Sequence, residues 1–229
     1  MKRFWTEAEA VERPGGWGIA LDSRPLKTPA RAELILPNRG LAEAIRAEWA
    51  AAGEVIDPRA MPLTGLANAA IDHAARDRAS FAESLSRYAE ADLFCYRATS
   101  PTKLVERQAA AWDSLLAWAR RRFDVDFVVT EGVIHSPQPP ATVARLSHEV
   151  TVLDPFRLAG LSPLVTIGGS LVAALALLEG ALDLEAAWNA VSLDEQWQIE
   201  QWGADPEAVA SLANRRADFE AGARFLALL

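Results

Sequence analysis

A single cysteine stands in 229 residues, so no disulfide can form within the chain. That usage suits a reducing compartment. Cys95 lies between Phe94 and Tyr96, a setting of packed side chains rather than the electropositive surroundings of a nucleophile. Histidine is nearly as scarce. His73, His135 and His148 are far apart, and none has a second His or Cys at ligand spacing, so no metal site is expected. Positive charge is short as well: 23 Lys and Arg against 31 Asp and Glu leave a net charge of -8. Nucleic acid needs a basic face to neutralise phosphates, so it is excluded as a partner. No apolar signal core follows Met1, and Glu7, Glu9 and Glu12 come too early for an Arg-rich transit peptide. A cytoplasmic protein is expected. The phosphate-cradling run Gly-x-x-x-x-Gly-Lys-Ser/Thr is missing, and Gly169-Ser170-Leu171 does not complete a Gly-x-Ser-x-Gly elbow. No cofactor is expected.

What the chain has in plenty is apolar material. Hydrophobic residues make up 51% of it, enough for a sizeable core, and the eight Trp are well above common usage. Leu158 to Leu178 carries no charge at all. Its length alone would allow a membrane span. Gly160, Pro163, Gly168 and Gly169 interrupt it, however, and no basic cluster or Trp/Tyr anchor flanks it. The run reads instead as the centre of a helical bundle, with a helix apolar on every side over Gly169 to Leu178. Gly168 and Gly169 read as points of close helix approach, with an anion site at the helix N-terminus as the alternative.

The expected fold class is α+β, with a small antiparallel β domain over 1–37 and a larger all-helical domain over 38–229. Phe4-Trp5 and Ala10-Val11 are short strand candidates. Trp17, Ile19 and Leu21 alternate with Gly18, Ala20 and Asp22, the period of a half-buried strand. Asp22-Ser23-Arg24 is a turn. From Asn38 the period becomes helical, with Leu41, Ile45 and Trp49 on one face. Further helices are expected from Met61, over 80–93, from a Ser100 cap with Pro101 at the first position, over 142–153, over 184–190 and over 193–202. Val125, Phe127 and Val129 alternate like a strand. Asp205-Pro206 opens a last helix that should bury Val209, Leu212, the stem of Arg216, Phe219, Ala223 and Leu226.

Two carboxylate clusters offer chemistry. Glu90 and Asp92 lie beside Arg97, and Asp194, Glu195 and Glu200 lie among Trp197 and Trp202. Paired carboxylates can do acid/base work when burial separates their pKa values. The competing reading is a solvated acidic helix face. On a helix, Glu195, Gln198 and Trp202 share one face, and Leu193, Trp197 and Glu200 share another. An indole among carboxylates and amides suits a protein interface; two core indoles in adjoining layers would fit as well.

An ordered series of motifs resembles the Atp-twelve family of ATP synthase assembly chaperones. It runs through Phe4-Trp5, Gly16-Trp17, Leu21 to Pro29, Glu48-Trp49, Ile56-Asp57-Pro58 and Met61-Pro62-Leu63-Thr64. It continues through Leu66-Ala67-Asn68, Ile71-Asp72, Asp92 to Arg97, Arg107-Gln108, Trp112-Asp113, Gly169-Ser170-Leu171 and Gln198 to Gly203. Ser23 departs from it, since the family usually places Gly in that turn. The resemblance implies a non-enzymatic protein that binds the unassembled alpha subunit of the ATP synthase catalytic head. It would keep that subunit from aggregating and hand it on to the beta subunit. It implies a partner-binding stretch at Asp194, Glu195, Gln198, Glu200 and Trp202, and a bacterial cytoplasmic member. A hydrolase using Asp92 and Arg97, or the Asp194 to Glu200 carboxylates, is the competing expectation.

Overall fold

The hairpin near the N-terminus forms where the alternation and the turn residues place it. In a computed structural model describing residues 2–229, Ala8–Arg13 (β1) pairs antiparallel with Gly16–Leu21 (β2), Ala8 facing Leu21 and Arg13 facing Gly16. Arg24–Pro25 (β3) returns along β2, giving the order β1-β2-β3. Asp22 and Ser23 form the two-residue turn between them, with φ of 46° and 66°. Positive φ at both central residues is the hairpin geometry that usually selects Asn or Gly. Asp22 adds compensation, because its carboxylate accepts hydrogen bonds from the amides of Thr6 at 3.0 Å and Glu7 at 2.9 Å. Phe4-Trp5 is not a strand. Trp5 is instead buried on Trp49, ring centroids 5.0 Å apart, while Phe4 is exposed.

Arg39–Ala51 (α1) starts at Asn38, whose Oδ1 accepts from the Leu41 amide at 2.9 Å. Leu41, Ile45 and Trp49 are buried as their spacing predicts. Glu48, on the same helix, caps the next one, Pro62–Ala69 (α2). Its carboxylate accepts from the amides of Leu63 and Thr64 at 2.8 Å each and from the Thr64 hydroxyl at 2.6 Å. Such a cap satisfies helix N-terminal donors that have no partner within the helix. The motifs Glu48-Trp49 and Met61 to Thr64 thus form one structural unit. The apolar cluster beneath the sheet draws on both sides of position 37: Ile19, Leu21, Leu34 and Leu36 pack with Leu41, Ile45, Met61, Leu63 and, from far along the chain, Phe225.

The helical part continues with Arg78–Ser86 (α3), Thr102–Phe123 (α4), Pro140–Thr151 (α5), Pro155–Gly168 (α6), Leu171–Leu178 (α7), Leu184–Val191 (α8), Leu193–Trp202 (α9) and Pro206–Ala227 (α10). Several boundaries differ from expectation. The helix expected over 80–93 opens at its Asp77 cap and gives way after Ser86 to a 3-10 turn, leaving Asp92 free to cap elsewhere. Pro101, not Ser100, is the cap of α4. Val125 and Phe127 are buried without strand pairing, and Val129 is 44% exposed. The strand there is Thr130–Glu131 (β5), parallel to Tyr96–Arg97 (β4).

The apolar run is two helices. Its first half is α6, helical straight through Gly160 and Pro163, and α10 crosses it closely. A Cβ on Gly222 would stand 2.9 Å from the Gly160 carbonyl oxygen, and one on Gly160 would stand 2.8 Å from Leu226 Cδ2. The main close-approach pair is therefore Gly160 and Gly222. Gly168 is tight against Val191, but Gly169 serves as the left-handed stop of α6, with φ of 67°. The helix expected over Gly169 to Leu178 begins at Leu171, and Leu171 through Ala176 are buried on every side. No helix of the described residues is long and apolar enough to cross a membrane. On α10 the inward face holds at Phe219 and Ala223, whereas Val209 is 41% exposed, since the first turns of α10 run out beyond the core with α9.

Candidate partner-binding face

The first carboxylate cluster comes apart in the structure. Asp92 is fully buried and works as a double cap. Its carboxylate accepts from the Phe94 amide at 3.0 Å, the Val172 amide at 2.9 Å and the Ser170 hydroxyl at 2.8 Å. Burial pushes its pKa up to about 6 against the pull of those donors. Arg97 turns away from it. Its Nε donates to the Phe94 carbonyl at 2.9 Å, its other end meets Asp113 at 2.8 Å, and its guanidinium lies over the Trp112 ring. Cys95 is buried, and desolvation pushes its thiol up to about 12, so it packs as a small hydrophobe.

The second cluster is spread around α9, each acid with a different partner. Asp194 Oδ1 accepts from Gln108 Nε2 at 2.8 Å. Glu195 pairs with Arg215 at 2.8 Å, and Arg215 also donates to the Ile167 carbonyl at 3.0 Å. Glu200 pairs with Arg107 at 2.6 Å. The hydrogen bond from Arg107 lowers the Glu200 pKa, and the same contact raises that of Arg107. These ties fasten α9 to α4 on one side and to α10 on the other. The two indoles split. Trp197 is buried, and Trp202 is 78% exposed at the end of α9, next to the exposed Gln198.

Two of the grooves along this helix reach Gln198 and Trp202. One, of about 510 Å³, runs between α9 and the start of α4 with the 96–101 segment; Tyr96, Pro101, Leu104, Val133, Trp197 and Trp202 line its apolar part. Gln108, Asp194, Gln198 and Gln201 supply its polar edge. The other, of about 350 Å³, lies between α9 and α10 against Ile199, Leu212 and Arg215, and it too reaches Gln198 and Trp202. Val133, on the loop after β5, lines the first of these grooves and is 95% exposed, and its neighbour Ile134 is 81% exposed. The sequence reading missed this opposite wall. Its one signal was a pair of large apolar residues, Val133-Ile134, between Gly132 and the Pro-rich stretch that follows.

The family model described as the ATP12 chaperone protein matches residues 2–120 of this sequence. The chain belongs to the ATP12 chaperone family. Likeness to ATP12 proteins extends over the whole molecule. The crystal structure of Atp12 from Paracoccus denitrificans is 44% identical, with a TM-score of 0.93 over 99% of this chain and 97% of that one. An aspartate-to-lysine mutant of P. denitrificans Atp12p superposes equally well, also at a TM-score of 0.93. The mitochondrial Atp12 protein of Schizosaccharomyces pombe is 25% identical over 90% of this chain and 75% of its own length. The Paracoccus structures thus share both the N-terminal sheet and the helical part that carries α9.

Proposed function

We propose that this chaperone binds the unassembled alpha subunit of the ATP synthase catalytic head in the bacterial cytoplasm, shields it from aggregation, and releases it to the beta subunit. Membership of the ATP12 family supports the assembly role. The observation that supports the binding face is Trp202, which lies 78% exposed between two grooves. Large exposed aromatics beside apolar clefts with polar edges are the usual anchors of protein interfaces. Asp194, Glu195, Gln198, Glu200 and Trp202 belong to this face, the three acids shaping it through their partners on α4 and α10. A polar-edged surface suits a partner that must later leave. The hydrolase reading finds no support in the same geometry, since Asp92 is sealed in the core and each acid of the second cluster has a structural partner.

The test is capture of the isolated alpha subunit by the purified protein at micromolar concentration, with light scattering to follow alpha-subunit aggregation. The wild type should hold the subunit in solution. Trp202→Ala should weaken capture at least tenfold, as expected for an aromatic anchor, with an unchanged melting temperature. Capture by Trp202→Ala equal to the wild type would remove α9 from the interface. No capture by the wild type would reject the partner.

A further inference from the structure

Gln108 is a buried amide, 2% exposed, on the face of α4 that looks toward α9. Both ends of its side chain are used. Its Oε1 accepts from the backbone amide of Ala98 at 2.8 Å, and its Nε2 donates to Asp194 Oδ1 at 2.8 Å. A buried amide left unmatched is costly, so the carboxylate on α9 and the amide of Ala98 fix the Gln108 side chain between them. The three groups form one line of hydrogen bonds across three pieces of chain: α9, α4, and the 96–101 segment leading into α4. Those pieces are the walls of the larger groove, which Ala98, Gln108 and Asp194 all line.

From this geometry we infer that Asp194 is a positioning residue: it sets the groove wall at Ala98 through Gln108, and does not meet the partner with its charge. The inference rests on the proposed partner face and says how one acid serves it. Glu195 and Glu200 are different in kind, because each is matched by an arginine and can exchange that arginine for a partner's cation. The contact that Asp194 makes is to a neutral amide, whose N–H an uncharged carbonyl oxygen can also accept, with a weaker bond.

The decisive variants are Asp194→Asn, Asp194→Ala and Gln108→Leu. The Asn carbonyl accepts from Gln108 Nε2 as the carboxylate does, while its charge is gone. Binding of the alpha subunit by Asp194→Asn should stay within about twofold of wild type, whereas Asp194→Ala and Gln108→Leu should each lose about tenfold, the size of one buried polar mismatch. The double variant Gln108→Leu/Asp194→Ala should lose no more than the worse single one, since both break one line. Residue-resolved amide exchange supplies a second readout that needs no partner. The Ala98 amide should exchange slowly in the wild type and in Asp194→Asn, and faster in Asp194→Ala and Gln108→Leu. Loss of binding in Asp194→Asn equal to that in Asp194→Ala would overturn the inference, as would unchanged Ala98 exchange in Asp194→Ala. If the wild type captures no alpha subunit, the proposed partner fails, and the Ala98 exchange still decides whether Asp194 holds the wall.

Discussion

Replacing Asp92 by Asn gives a stability difference that changes with pH in a direction set by the structure. The folded state holds this carboxyl at a pKa of about 6, against an ordinary value of 3.8, because burial disfavours its charged form. Between those two pH values the folded chain keeps a proton that the unfolded chain has released. The group's contribution is therefore complete below pH 3.8, falls as pH rises toward 6, and is lost above it. A shift of about two units corresponds to about 3 kcal/mol. Asn does not titrate, so it lacks this loss. It has its own cost, independent of pH: one acceptor oxygen cannot serve the Phe94 and Val172 amides and the Ser170 hydroxyl together. One donor left unmatched costs about 1–3 kcal/mol. The Asn variant should thus be less stable than wild type by about 2 kcal/mol near pH 4 and equal to it, or slightly more stable, near pH 7. Urea unfolding followed by Trp fluorescence at four pH values between 4 and 7 measures it, and groups common to both proteins cancel in the difference. A difference that stays flat across that range would refute the reasoning, because Asp92 would then be ionised throughout in the fold.

Three further outcomes follow from packing and capping. Glu48→Ala removes the acceptor of two α2 amides and a hydroxyl, and should cost about 1–3 kcal/mol in urea unfolding. Gly222→Ala places a methyl 2.9 Å from the Gly160 carbonyl oxygen, and should cost about 1–3 kcal/mol and lower the melting temperature; a wild-type melt would show that α6 and α10 can part without penalty. Ser23→Gly relieves a left-handed backbone at φ of 66°, and should raise stability by up to about 1 kcal/mol in the same assay.

The sequence carries the N-terminal hairpin well because each signal there is local: alternation along β2, a two-residue turn and a helix-capping Asn38 follow one another within about twenty residues. The spine of the helical part was legible as apolar and buried, but not in its true division. Gly160 and Pro163 look like breaks by propensity, yet the helix runs through both, and the close crossing of α10, with Gly222 opposite, gives Gly160 a packing reason that no local pattern shows. The α9 stretch was legible as important in composition and opaque in geometry. Spacing put its acids on helix faces, yet their partners come from elsewhere: Gln108 is 86 residues from Asp194, and Arg107 is 93 residues from Glu200. No periodic pattern carries contacts of that range. The exposed first turns of α10 were misread for a related reason, since Val209 and Leu212 match a buried stripe that no neighbouring element covers fully.

Asn38 and Phe225 set an order of events during synthesis. The Asn38 side chain donates to the Leu228 carbonyl at 2.8 Å, and Phe225 is fully buried in the cluster beneath the sheet. The strands, α1 and α2 are made first and supply most of the layer under the sheet, but the place of Phe225 in it stays empty until the ribosome has reached α10, and the Asn38 bond waits for some 190 further residues, the separation across it. Domains that close early can fold as they emerge, whereas this cluster is completed only when α10 is present. Anything that stalls synthesis within α10 therefore releases a chain whose sheet already rests on α1 but whose apolar cluster still lacks Phe225.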